Sequence, residues 1–250
     1  MNRILFEPSE IQDGVATFGG ARAEHVMNVL HGEVGQVLKT GVLNGLVGTS
    51  EILSVGPEIV VRVNHAQESL RPWVDLILAP PRPRVMKRLL PQLATLGVGR
   101  IVLVGAQKVE KDFWGATLLK PENYLPLLVD GLMQAGTSFV PEIALRRGFR
   151  KFLRDELDAL FPSPDRLVAH PYSTPSSTQT PSPTQTPKHP QTPNPRLLLA
   201  VGPEGGWTDE EVALMEEKGF RRYSLGPRIL RTDTATVALL AKLNTEDRQC

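Results

Sequence analysis

From Trp73 to the C-terminus the chain alternates short apolar runs with helical patterns, and no other feature restricts its fold as strongly. The runs at 74–79, 100–105, 166–169 and 196–201 are apolar almost throughout, without the strict alternation of a half-buried strand. A strand that is apolar on both faces must be covered on both faces, which is the condition of a parallel sheet flanked by helices. Residues 84–96, 121–135, 149–160, 209–218 and 233–243 carry the helical patterns. Leu125, Leu128, Val129 and Leu132 fall on one face of the second. A further strand is expected at 222–225. Pro91 should kink or split the helix that contains it, because proline lacks the amide donor. The fold class is α/β.

The first 70 residues have a different texture. Short β-like runs at 3–6, 14–18, 36–40, 47–55 and 58–63 are separated by turn signals at Gly19-Gly20, Asn44-Gly45 and Gly56-Pro57. One amphipathic helix is expected at about 21–30, with Val26, Val29 and Leu30 on one face. Strands at this spacing suggest a small barrel or curled sheet, so the expected division is residues 1–71 and 72–250. Within the second part, 173–195 is composed of Ser, Thr, Gln and Pro with His, Lys and Asn, and without aliphatic or aromatic residues. Such a composition cannot bury a core and is expected to be a disordered surface insert.

Composition excludes several classes. With 28 basic and 27 acidic side chains the net charge is +1, so attraction to nucleic acid must come from local clusters. Two clusters stand out: Arg82, Arg84, Lys87 and Arg88; and Arg146, Arg147, Arg150, Lys151 and Arg154. Each could track phosphates, and each is by default a solvated helix face. The one cysteine, Cys250, cannot form an internal disulfide or a cysteine-rich zinc site. Histidines 25, 31, 65, 170 and 189 lack metal-ligand spacing, so no metal is expected. The N-terminus lacks a signal-peptide pattern and no apolar run approaches the ~18 residues of a membrane span; a cytoplasmic protein without membrane contact is expected. Gly97-Val98-Gly99 lacks the rest of a dinucleotide fingerprint, and no phosphate-binding Gly-Lys-Ser/Thr loop is present.

The chemistry concentrates in two turns. In Leu197-Leu-Leu-Ala-Val-Gly202-Pro203-Glu204-Gly205-Gly206 a buried strand runs into a glycine turn. Thr208 and Glu211 then have the spacing of a capping box, and Gly219 can end the helix that follows. Ligands of parallel sheets sit beyond the carboxyl ends of the strands, where glycines let the backbone approach a flat group. The second turn is Ser224-Leu225-Gly226-Pro227-Arg228-Ile229-Leu230-Arg231-Thr232-Asp233-Thr234-Ala235, with two arginines ahead of a helix opened by Thr232 or Asp233. Those arginines could hold a phosphate backbone and a pyrimidine carbonyl, or be ordinary surface residues with Asp233 only a cap.

Together these turns resemble the 16S ribosomal RNA uracil-N3 methyltransferase family, of the SPOUT superfamily. The resemblance extends through Leu96-Gly-Val-Gly-Arg-Ile101, Gln134-Ala-Gly136, Val140-Pro-Glu-Ile143 and His170-Pro171. It implies a deep trefoil knot, a PUA-like RNA-binding barrel at the N-terminus, a homodimer, and small-subunit ribosomal RNA as partner. It also implies S-adenosyl-L-methionine as cofactor, held by His170, Pro171, Gly202, Pro203, Glu204, Gly205, Gly206, Leu225, Gly226, Pro227, Ile229, Leu230, Thr234 and Ala235. Arg231 or Arg228 would stabilise negative charge on the uracil carbonyls, with Glu204 or Asp233 as proton acceptor. The chain departs from the family at Thr95, at Thr137 in Met133-Gln-Ala-Gly-Thr137, at His31 in Val29-Leu-His31, and at Asp233, where glutamate is usual. These departures leave methylation of a different RNA nucleotide, or RNA binding without catalysis as an assembly factor, as the alternatives; the intact cofactor loops argue against the second.

Overall fold

The computed structural model describes residues 2–171 and 196–246. The expected disordered insert and Cys250 lie outside the described residues. The chain divides into two compact units, Met1–Arg71 with Leu125–Val140, and Pro72–Tyr124 with Pro141–Cys250.

In the first unit the elements are β1 (Ile4–Phe6), β2 (Ile11–Gln12), β3 (Val15–Phe18), α1 (Gly20–Asn28), β4 (Val37–Val42), β5 (Val47–Ser54) and β6 (Ile59–Gln67). The strands form one sheet of order β1-β4-β5-β6-β3-β2, antiparallel except for the β1–β4 pair. Alternating side chains turn Phe6, Phe18, Ile52, Ile59 and Val61 inward, where they pack with Val26 of α1. The Asn44-Gly45 turn closes the β4–β5 hairpin as its sequence requires, with Asn44 at φ 57° and the Val42 N–H donating to Leu46 O at 2.9 Å. Residues 125–140 group here because their backbone is tied in. Met133 O accepts from the N–H groups of Asn2 and Arg3 at 3.0 Å, and Ser138 Oγ donates to Gly45 O at 2.7 Å.

The second unit contains β7 (Val74–Leu78), α2 (Pro83–Thr95), β8 (Val98–Val104), the start of α3 (Pro121–Ala135), β9 (Glu142–Arg146), α4 (Phe149–Asp155), α5 (Leu157–Leu160), β10 (Arg166–Ala169), β11 (Leu197–Val201), α6 (Asp209–Glu217), β12 (Arg221–Tyr223) and α7 (Thr232–Glu246). Its sheet has the order β12-β10-β11-β7-β8-β9, parallel throughout. The mixed α/β class with a parallel sheet is as the apolar runs require. Ile77, Val102, Val168, Leu198 and Ala200 pack with Phe149, Phe152, Phe161 and Met215 in one core. Three details differ from expectation. The helix through Pro91 is not split, since it runs as one element over Pro83–Thr95. The helical pattern at 149–160 breaks at Glu156, whose φ of −123° and ψ of −25° leave the helical basin. Strand β9 was not expected, because it is an edge strand with no run of buried residues.

At the amino ends of the strands, charges are locked in place. Asp75 accepts from the Arg100 N–H at 2.8 Å and from Arg196 Nε at 3.0 Å. Burial pushes its carboxyl above the ordinary range, against the opposing pull of Arg196. Arg166 is buried and donates to Ser163 O, Phe161 O and Lys218 O, and to Asp158 at 2.8 Å.

Candidate active site

Three loops leave the carboxyl ends of β10, β11 and β12, and the structure joins them. Beyond β10, the His170 N–H donates to Tyr223 O at 3.1 Å, and Ser224 Oγ donates to Pro171 O at 3.3 Å. These bonds tie His170 and Pro171 to the loop after β12. Thr232 Oγ1 donates to Gly202 O at 3.4 Å, a long bond that links the start of α7 to the loop after β11. The residues expected to hold the cofactor therefore converge on one edge of the sheet.

The glycines have separate reasons. A Cβ on Gly202 would lie 3.0 Å from the Trp207 N and 3.1 Å from its ring, so the strand's exit is pressed against a buried indole. Gly206 and Gly226 have φ of 68° and 116°, in the region that side chains disfavour, and a Cβ on either would meet open space. The Gly206 N–H donates to Pro203 O at 2.8 Å and closes the turn. Ser224 Oγ accepts from the Gly226 N–H at 3.1 Å, which holds the second turn.

The helix after the first turn starts as its sequence demands. Thr208 and Glu211 form a reciprocal capping box, with the Thr208 N–H donating to Glu211 Oε2 at 2.9 Å. Glu211 is buried, and its other oxygen accepts from the Gln107 N–H at 2.7 Å, so one carboxylate fixes both this loop and the one after β8. Gly219, at φ 83°, follows the helix end.

The candidate catalytic groups sit around this edge. Arg228 and Arg231 are exposed, as are Pro227, Ile229 and Leu230, whereas Leu225 and Gly226 are half-buried. Thr232 opens α7, and the Ala235 N–H donates to Arg231 O at 2.7 Å. Thr234 is exposed and Ala235 half-buried. Asp233 accepts from the Thr234 N–H at 2.9 Å and pairs with Arg88 of α2 at 3.4 Å. Glu204 is exposed, 3.8 Å from Arg82.

Sequence reasoning missed several neighbours. Arg82 donates to Glu110 at 3.0 Å, and Lys108 Nζ donates to Gly205 O at 2.8 Å. With Pro80, Pro81 and Phe113 these residues line a small cleft beside Glu204. Arg82 and Arg88 were visible only as members of a basic cluster, since nothing in the linear order places α2 next to Glu204 or Asp233.

A parallel sheet flanked by helices, with glycine loops joined at its carboxyl edge, defines an α/β protein whose candidate ligand site lies where such sheets take their ligands. The sequence pattern of the RNA methyltransferase domain matches residues 68–244. Ribosomal RNA small subunit methyltransferase E of Treponema pallidum is 30% identical over 248 residues, 96% of this chain and 90% of that protein. A Legionella pneumophila protein solved with bound S-adenosylmethionine is 26% identical with a TM-score of 0.70, covering 98% of this chain and 97% of that one. Ribosomal RNA small subunit methyltransferase E of Neisseria gonorrhoeae shares the fold, with a TM-score of 0.69, 23% identity and coverage of 98% and 97%. The chain belongs to the ribosomal RNA small subunit methyltransferase E family of RNA methyltransferases.

Proposed function

We propose that this chain is a methyltransferase that uses S-adenosyl-L-methionine to methylate N3 of a uridine in small-subunit ribosomal RNA. The observation that carries this reading is the hydrogen-bonded convergence of the three loops after β10, β11 and β12. Bound at those loops, S-adenosyl-L-methionine supplies an electrophilic methyl group on a sulfonium. The protein's task is to align the nucleophile and exclude water. The uracil imide loses its N3 proton as it attacks, and charge spreads onto the flanking carbonyl oxygens. Arg231 or Arg228 donates hydrogen bonds to those oxygens, stabilising the charge as it develops. Glu204 or Asp233 takes the proton. Glu204 is the more accessible of the two acids, because its side chain is 47% exposed against 26% for Asp233, and Asp233 is held by Arg88 and the Thr234 N–H while Glu204 has only the longer contact with Arg82.

The strand order supports the trefoil knot of the SPOUT superfamily. β12 follows β11 in the chain yet pairs with β10, so the connection between them passes the β10 strand, an order compatible with such a knot. The exposed Ile229 and Leu230 beside Arg228 and Arg231 suit a homodimer with the site near the subunit interface. The first unit's six-stranded sheet suits a PUA-like RNA-binding module, and the protein would act in the cytoplasm, where ribosomes are assembled. Tritium transfer from labelled S-adenosyl-L-methionine to small ribosomal subunits lacking the modification, followed by nucleoside analysis, tests the reading. Label in 3-methyluridine is expected; label in another nucleoside, or none, refutes it.

A further inference from the structure

The first unit carries a cleft of about 250 Å³ that the catalytic reading does not use. Arg3, Lys39, Thr49, Asn64, Ala66 and Gln67 line it. Pairing of Lys39 with Thr49, and of Thr49 with Asn64, places three polar side chains in one row across β4, β5 and β6. Next to that row the register of β5 and β6 slips. Gly48 faces His65 and Val47 faces Gln67, which leaves Ala66 as an extra residue. Such a bulge bends the strand, and Ala66 and Gln67 both reach the cleft wall. Gly48 is fixed by the same kink, since a Cβ there would lie 2.2 Å from Asn64 O.

The electrostatics of the cleft are one-sided. Arg3 donates to the carbonyls of Gly136, Thr40 and Gly48 at 3.0, 2.6 and 3.0 Å, which orients its guanidinium without neutralising it. Burial pulls its pKa down from the ordinary arginine value. Among the described residues neither Arg3 nor Lys39 is in an ion pair, whereas Glu51, two residues along β5 from Thr49, is taken by Arg62 at 3.1 Å. The side chains of Lys39, Thr49, Asn64 and Gln67 also have no hydrogen-bond partner among the described residues. Two uncompensated cations and three groups able to donate, gathered in one concavity, have the composition of a phosphate site.

We propose that this cleft binds a backbone phosphate of the RNA substrate, so that the first unit positions the RNA independently of the catalytic loops. The inference rests on the RNA-methyltransferase reading above, and the test separates the two. Lys39→Glu and Asn64→Asp alter exposed side chains and should leave melting and S-adenosyl-L-methionine binding at wild-type values. With an in vitro transcript of small-subunit ribosomal RNA as probe, Lys39→Glu should weaken binding about tenfold or more. It should also reduce the slope of log K against log salt by about one. Asn64→Asp should show a smaller loss, and both variants should raise KM for RNA with kcat unchanged at saturation. A wild-type protein that methylates the RNA, with both variants within twofold of it in affinity and salt slope, would overturn the cleft alone. A wild-type protein that neither binds nor methylates the RNA would overturn both readings.

Discussion

At the amino ends of the parallel strands, Asp75, Arg100, Arg166 and Arg196 are held by each other, by Asp158 and by backbone groups. At the carboxyl ends of β11 and β12, glycines with bare backbone alternate with exposed Arg228 and Arg231. One sheet thus has one edge whose polar groups are satisfied internally and another whose polar groups face solvent. A buried charge without a partner costs several kcal/mol, so the satisfied edge contributes to stability. An exposed arginine costs little to keep, and its donors are available to charge that develops during a reaction. A substitution at the first edge should be felt as lost stability, and one at the second as lost rate.

The sharpest way to break this contrast is Arg231→Ala. Removal of a donor to developing charge typically lowers kcat by about 10²–10³-fold, while stability should stay within about 0.5 kcal/mol because the side chain is exposed. Methyl-transfer rates beside a urea titration check both halves. An unchanged rate would move the electrostatic role to Arg228.

Asp75→Ala should do the reverse. It leaves the Arg100 N–H and the Arg196 guanidinium without their acceptor, at a cost of about 2–3 kcal/mol, with kcat of the folded protein unchanged. A thermal midpoint lowered by roughly 5–10 °C is expected for a domain of this size.

Gly206→Ala forces a side chain into the left-handed region at φ 68°, which costs about 1 kcal/mol. S-adenosyl-L-methionine affinity measured by calorimetry should fall along with stability, because the proposed cofactor site includes this turn.

The smallest effect is a pH dependence. Burial raises the Asp75 pKa in the folded state, so the folded chain holds that proton more tightly than the unfolded chain does. Stability from this group is greatest below the ordinary carboxylate pKa and declines as pH rises through the raised folded value. The difference in unfolding free energy between wild type and Asp75→Asn, followed by urea titration from pH 3.5 to 7, should therefore shift against wild type as pH rises. A shift in the opposite direction would mean that Arg196 outweighs burial.

Much of this second unit was legible in the residues. The run from Val74 to Leu78 is buried along its whole length, so its continuous apolar character had one reading. Thr208 and Glu211 announced the start of α6 because a capping box is local chemistry. Where tertiary context decides, the sequence was silent. Leu125, Leu128 and Leu132 mark a helical face without saying which unit receives it, and the backbone bonds from Asn2 and Arg3 to Met133 join it to the first. Pro91 does not split its helix, whose Leu89, Leu90 and Leu93 are buried on the core side, so packing holds together a segment that local propensity would allow to break. At the site, the glycines and arginines were visible as motifs. Their neighbours Arg82, Arg88 and Lys108 come from distant parts of the chain and carry no motif.

The most direct test of the division between the two edges is an amide NMR titration of the protein with S-adenosyl-L-methionine. Shifts confined to Gly202, Gly205, Gly206, Leu225 and Gly226 and their immediate neighbours, with Asp75, Arg100 and Arg166 unmoved, are the expected result. Saturable shifts centred on Asp75, Arg100 and Arg166, with the glycine loops silent, would contradict the assignment of function to the carboxyl edge.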